Sequence, residues 1–189
     1  LADVGDRGGA LEAVREAVGI YRGLAEENLA AFNPVLAMSL SNLSVRLADV
    51  GDRGGALEAV REAVGIYRGL AEENLAAFNP VLAMSLSNLS IRLADVGDRG
   101  GALEAVREAV EIYRGLAEKN AAAFETDLVR ALNILARILT ETGESDEALR
   151  CFVDETESFP TGLQARFSLP GHAGKEKRAA LMTCATQRN

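Results

Sequence analysis

The sequence predicts an all-α, right-handed solenoid of antiparallel helix pairs. Three observations carry that expectation. The chain repeats itself with a period of 46 residues, and residues 1–46 and 47–92 differ only at Val45 against Ile91. Within each copy apolar residues fall three and four apart, the spacing of one helix face. A Gly-Asp pair recurs at Gly5-Asp6, Gly51-Asp52 and Gly97-Asp98, where one apolar stripe ends and another begins. A fixed period of this size marks stacked repeats, because one repeat cannot bury its apolar face alone and its neighbours must cover it.

The elements follow in order. Asn79-Pro80 reads as a helix start: Asn accepts from the first free backbone donors, and Pro suits the first helical position. From there Leu82, Leu86, Leu89, Leu93 and Val96 form one stripe. Gly97 ends the helix as a residue able to take the left-handed conformation. Asp98 caps a second helix, with a stripe of Ala102, Leu103, Val106, Ala109, Val110, Tyr113 and Leu116. The short connection makes the pair antiparallel. The same reading places helices at about 6–28, 34–50, 52–74, 80–96, 98–120, 126–142 and 145–158. The array is expected over 1–159, with an irregular tail over 160–189. Leu1–Val4 read as the stub of a preceding helix, so the chain reads as a piece of a longer array. The face carrying Leu11, Val14, Val18 and Tyr21 should then be partly bare and prone to self-association.

Composition narrows the partner. The formal net charge is −8. That argues against nucleic acid, since phosphate binding needs clustered Lys and Arg. It fits a neutral or basic protein partner. No apolar run is long enough to span a membrane, and no signal peptide is recognisable. Cys151 and Cys184 make neither a disulfide framework nor a zinc site, which fits reduced thiols in a cytoplasmic protein. Lys occurs only at 119, 175 and 177, and the Arg bias suggests a GC-rich bacterial genome.

No catalytic or cofactor site is expected. Gly51–Gly55 is Gly-rich and opens a helix, as phosphate cradles do. No strand precedes it, no Lys-Ser/Thr follows, and Asp52 would repel phosphate. Glu26-Glu27 and Glu72-Glu73 diverge around their helices, whereas acid/base pairs must converge on one substrate. His172 has no partner pattern. No metal ligand set is present.

Gly51-Asp52, Ala56-Leu57 and Ala63, with Leu43 and Leu47 upstream, resemble the tetratricopeptide repeat. In that family small Ala residues let two helices pack closely and Gly makes the turn between them. The period departs from the family's usual 34 and is similar to that of the long-repeat branch that includes kinesin light chain. Leu40 and Leu47 stand where the family has aromatics, and Ser44 where it has Gly. A 46-residue period also fits HEAT-type repeats. The Gly-Asp turn followed by Ala at this spacing favours the tetratricopeptide reading. The phrase at 78–90 resembles arrays in large actinobacterial proteins, beside signalling NTPases of the STAND type or CHAT domains.

The resemblance implies a protein-binding groove lined by the first helix of each pair. Carried over by distance from the turn glycines, its positions are Met38, Ser41, Val45, Ala48 and Asp49, with Asn42 beside them. The next copy gives Met84, Ser87, Ile91, Ala94 and Asp95, with Asn88. The diverged copy gives Arg130, Asn133, Arg137, Thr140 and Glu141. The groove is thus expected to be apolar first and basic at its end. The implied role is a scaffold or sensor that binds a peptide or protein and is not itself an enzyme. The alternative is a structural spacer or self-associating array, because two identical surfaces cannot be tuned to two different ligand segments.

Overall fold

The structure is a computed structural model in which residues 2–143 are described, residues 2–7 by their backbone alone. The helix expected at 145–158, the tail from 160, Cys151, Cys184 and His172 lie outside the described residues. The chain divides into two compact units, Leu1–Ile112 and Tyr113–Asn189. The described residues form helices α1 (Ala2–Glu27), α2 (Leu29–Asp49), α3 (Arg53–Glu73), α4 (Leu75–Asp95), α5 (Arg99–Lys119) and α6 (Ala121–Glu141). None of them is in a strand.

The first helix of each pair begins earlier than Asn-Pro suggests. Its cap is Asn28, Asn74 or Asn120, whose side chain accepts from the backbone N–H three residues on, at 3.2, 3.1 and 3.3 Å. Pro34 and Pro80 lie inside α2 and α4. The third copy has Glu125-Thr126 in place of Asn-Pro and the same start, so Pro does not set the boundary. Asn74 also closes α3, since its N–H donates to the Leu70 carbonyl at 3.0 Å. One residue therefore ends one helix and starts the next, and residues 75–79, between the helices expected at 52–74 and 80–96, are helical.

The other turn is as the sequence predicts. Gly51, Gly97 and Gly143 have φ of 84, 86 and 87°, a region an L side chain enters at a cost. The Asp52 carboxylate accepts from Gly55 N at 2.9 Å, and Asp98 from Gly101 N at 3.0 Å. A Cβ on Gly55 would lie 2.7 Å from Asp52 Oδ2, so a larger residue there would push the cap carboxylate aside. The identical sequence at 1–9 forms no such turn, and α1 runs straight through it. At 47–55 the turn is backed by Leu47, which is packed against Leu11, Ala56 and Ala59.

In the first unit, α2 packs on α1 and α3, and α3 on α4. Ala63 is fully buried among Val18, Ala25, Leu36 and Leu40. One copy later Ala109 meets Leu82, Leu86 and Tyr67. Small side chains let the helices approach. Ser41 Oγ lies 3.3 Å from Ser85 Oγ, which puts α2 beside α4. The second helices are tied by ion pairs that repeat with the period: Arg22 to Glu62 at 2.7 Å, and Arg68 to Glu108. These pairs are about half exposed and contribute only about 0–1 kcal/mol each, so the apolar contacts carry the stability. On the face of α1 expected to be partly bare, Leu11 and Val18 are buried, at 8% and 4% exposed, and Val14 and Tyr21 are half-buried. Leu11, Val18 and Tyr21 are covered by α2 and α3.

In the second unit, α6 buries Leu128, Val129, Ala131, Leu132, Leu135, Ala136, Ile138 and Leu139. These fall three and four apart and define its inner face. Tyr113 and Ala117 are also buried.

Candidate functional site

On α2, Leu36, Leu40, Leu43 and Leu47 face the core. Met38, Asn42, Val45 and Asp49 have the same spacing, shifted by two residues. At about 100° per residue that shift places them on roughly the opposite side of the helix. Met38 is 51% exposed, Asn42 and Asp49 are exposed, and Val45 is half-buried. The copy on α4 repeats this: Met84 is 46% exposed, Asp95 is exposed, and Asn88 and Ile91 are half-buried. Since α2 and α4 lie side by side, the two stripes run along one side of the first unit.

Ser41 is not on this surface. It is 6% exposed and spends its hydroxyl on Ser85. Ser87 is half-buried and donates to the Ala83 carbonyl at 2.9 Å. Asp49 and Asp95 are each paired with an Arg three residues earlier, Arg46 and Arg92, both at 2.9 Å. Sequence reading passed over these two arginines, although the i, i+3 spacing signals the pairing. They cancel much of the acidic charge at this end of the face.

In the second unit, α6 presents Arg130 and Arg137, both exposed. Arg130 donates to Asp127 at 2.9 Å, with its side chain still 72% exposed. Asn133 is half-buried, and its Oδ1 has no hydrogen-bond partner among the described residues. Tyr113 is pushed well above the ordinary tyrosine range, first by burial, then by the Asp127 charge, with Arg130 opposing. Burial likewise raises Tyr67. The folded chain therefore holds these protons where the unfolded chain loses them. Their stabilising contribution is complete below the unfolded pKa of about 10 and is lost as pH rises beyond it. Denaturant titrations between pH 9 and 11 should show stability falling, and Tyr113→Phe should flatten that fall. An unchanged slope would contradict the assignment.

A cleft of about 230 Å³ lies on the first unit between α3, α4 and α5, lined by Arg61, Arg68, Leu86, Leu89, Leu93, Glu104 and Glu108 among others. Its charges are of both signs, and Arg68 is already paired with Glu108. Among the described residues no group of three His, Cys, Asp or Glu could hold a metal ion. No helix there is long and apolar enough to cross a membrane.

Comparison with known families supplies the assignment. Residues 36–74 and 82–120 each match the tetratricopeptide repeat family, and the two matches start one 46-residue period apart. These segments are tetratricopeptide repeats. They take in the pairs α2–α3 and α4–α5, and the fold is in general a scaffold for protein–protein interaction. No curated protein matches the chain. Among solved structures, the nearly identical tetratricopeptide-like repeats assigned to a kinesin light chain of Podosopora anserina align at 18% identity. That alignment covers 98% of this chain and 82% of the other, with a TM-score of 0.66. A single-substitution variant of it aligns at 20% identity, over 80% of this chain and 66% of its own length, with a TM-score of 0.64. MamA aligns at 19% identity, over 94% and 84%, with a TM-score of 0.53. These likenesses establish the helix-pair repeat fold.

Proposed function

We propose that the tetratricopeptide repeats hold an extended peptide across the paired faces of α2 and α4. Met38, Asn42 and Val45 and their copies Met84, Asn88 and Ile91 make the contacts. The observation that carries the reading is the exposure of Met38 and Met84, 51% and 46%, on helices whose other large apolar side chains are mostly covered. Met is unbranched and adapts to varied apolar side chains. Asn42 and Asn88 carry both donors and acceptors for a peptide backbone.

Identical faces demand a periodic ligand. Packed helices lie about 8–10 Å apart, and an extended chain advances about 3.3–3.6 Å per residue. One helix spacing therefore corresponds to about three peptide residues. The ligand should present a similar apolar side chain at every third position. On α6, Arg130 and Arg137 stand seven residues apart, about two turns, and so share one side. Arg donates in a planar fork that suits carboxylates, and these residues select acidic groups. The module serves as the interaction part of a larger signalling protein, of the kind the phrase at 78–90 resembles.

Selection of a random peptide library on the whole chain tests this. Enriched peptides should carry an apolar residue at every third position. Asn42→Ala combined with Asn88→Ala should weaken their binding by about 1–3 kcal/mol, the sum of two ordinary hydrogen bonds. Arg130→Glu with Arg137→Glu should remove any preference for acidic peptides while leaving the helical signal intact. A selection that enriches nothing would favour the spacer reading, in which the identical copies only set a distance.

A further inference from the structure

The cleft between α3, α4 and α5 is lined by none of the residues of the peptide face. From α4 it takes Leu86, Leu89 and Leu93, of which Leu89 is half-buried and the other two are buried. From α3 come Arg61 and Arg68, and from α5 Glu104 and Glu108. Ion pairs between the second helices join residues 40 apart, Arg22 to Glu62 and Arg68 to Glu108. Counted the same way, Arg61 stands opposite Gly101, which has no side chain to pair with it. Asp98 also lines the cleft, but its carboxylate is engaged by Gly101 N at 3.0 Å. Glu104 lies three residues beyond Gly101, about 4.5 Å along the helix. Among the described residues, Arg61 and Glu104 are both exposed and make no ion pair or hydrogen bond.

We propose that this cleft binds a free α-amino acid with an apolar side chain. An unpaired guanidinium and an unpaired carboxylate stand on helices either side of a leucine floor. An α-amino acid carries the matching set on one carbon: a carboxylate, an ammonium and a side chain. Its carboxylate takes the planar fork of Arg61, its ammonium takes Glu104, and its side chain rests on Leu89. The mixed charge decides the class. A fatty acid has nothing to offer Glu104, and the interior of a peptide has neither charge. The size agrees, since about 230 Å³ lies below the range of about 300–1,000 Å³ typical for drug-sized ligands. The same letters recur one period earlier as Arg15, Leu43, Gly55 and Glu58, beside the Arg22–Glu62 pair. Variants therefore replace both copies.

The probe is L-leucine, titrated into the labelled whole chain and followed by NMR of the leucine methyl groups and arginine side chains. An open site of this size should saturate with a Kd on the order of 1 mM. Leu89 and its copy Leu43 should move. Met38 and Met84 should stay still, which separates the cleft from the α2–α4 face. Leucinamide lacks the carboxylate, isocaproate lacks the ammonium, and glycine lacks the side chain. Each should bind at least about tenfold more weakly than L-leucine. Arg15→Gln with Arg61→Gln should weaken L-leucine by a similar factor. Both arginines are exposed, so this variant should keep its helical signal and thermal midpoint. Absence of saturable shifts at about 10 mM L-leucine would overturn the proposal. So would equal binding of isocaproate, or equal binding of L-leucine by the arginine variant.

Discussion

Leu86→Ala should lower the stability of the chain by about 2–5 kcal/mol, the range for deleting a buried leucine side chain. Leu86 is 0% exposed and packs in one cluster with Ala37 of α2, Val64 and Tyr67 of α3, and Ala109 of α5. It therefore joins four helices, and the cavity left behind would be lined from every side. Met84→Ala, two residues away on the same helix, should change stability by no more than about 0.5 kcal/mol, because Met84 faces solvent. Denaturant midpoints of the two variants measure the contrast. In stacked repeats the effect of Leu86 should spread to both flanking helix pairs, since each repeat is stable only against its neighbours. Equal losses from both substitutions would show that the inner and outer faces of α4 are misassigned.

Ala63→Leu should cost about 1–3 kcal/mol by overpacking. Ala63 is 0% exposed, and Leu36, Leu40 and Val18 already fill the space around it. No small side chain could shift to make room without separating α3 from α2. Ala76→Leu should be nearly neutral. Ala76 is exposed in the first turn of α4, and Leu is a good helix former there. Thermal midpoints should fall clearly for the first variant and hardly for the second. A similar fall for both would mean that Ala63 does not lie at the closest helix contact.

The helix pairs were legible because their signals are local and repeated. The Gly51 turn, the Asp52 cap and the leucine stripe each follow from spacing alone, and the structure reproduces all three. The start of the first helix was misplaced because Asn79-Pro80 and Asn74 offer competing signals. Asn74 wins since its backbone closes α3 while its side chain opens α4, so no linker is needed. The run at 1–9 carries the same letters, yet α1 is helical through Gly5-Asp6. The buried serines were harder to read. Ser44, Ser85 and Ser90 are 1%, 0% and 0% exposed, though serine usually marks a wet surface. They are buried because a small side chain permits close helix approach. Ser90 satisfies its hydroxyl on the Ser87 carbonyl at 2.7 Å, while Ser44 Oγ has no partner among the described residues. Of the expected binding positions, Met38, Asn42, Met84 and the two arginines of α6 stand at the surface. Ser41 does not, because the neighbouring first helix covers it, and no single-helix pattern encodes that neighbour.

Chemical-shift mapping shows whether a peptide lies across α2 and α4. A selected peptide is titrated into the labelled chain with the methionine methyl groups as reporters. Met38 and Met84 should shift together, saturating at one peptide per chain, while signals from the second helices at Arg61 and Glu104 stay still. Shifts confined to α3 and α5, or saturation without movement of either methionine, would contradict it.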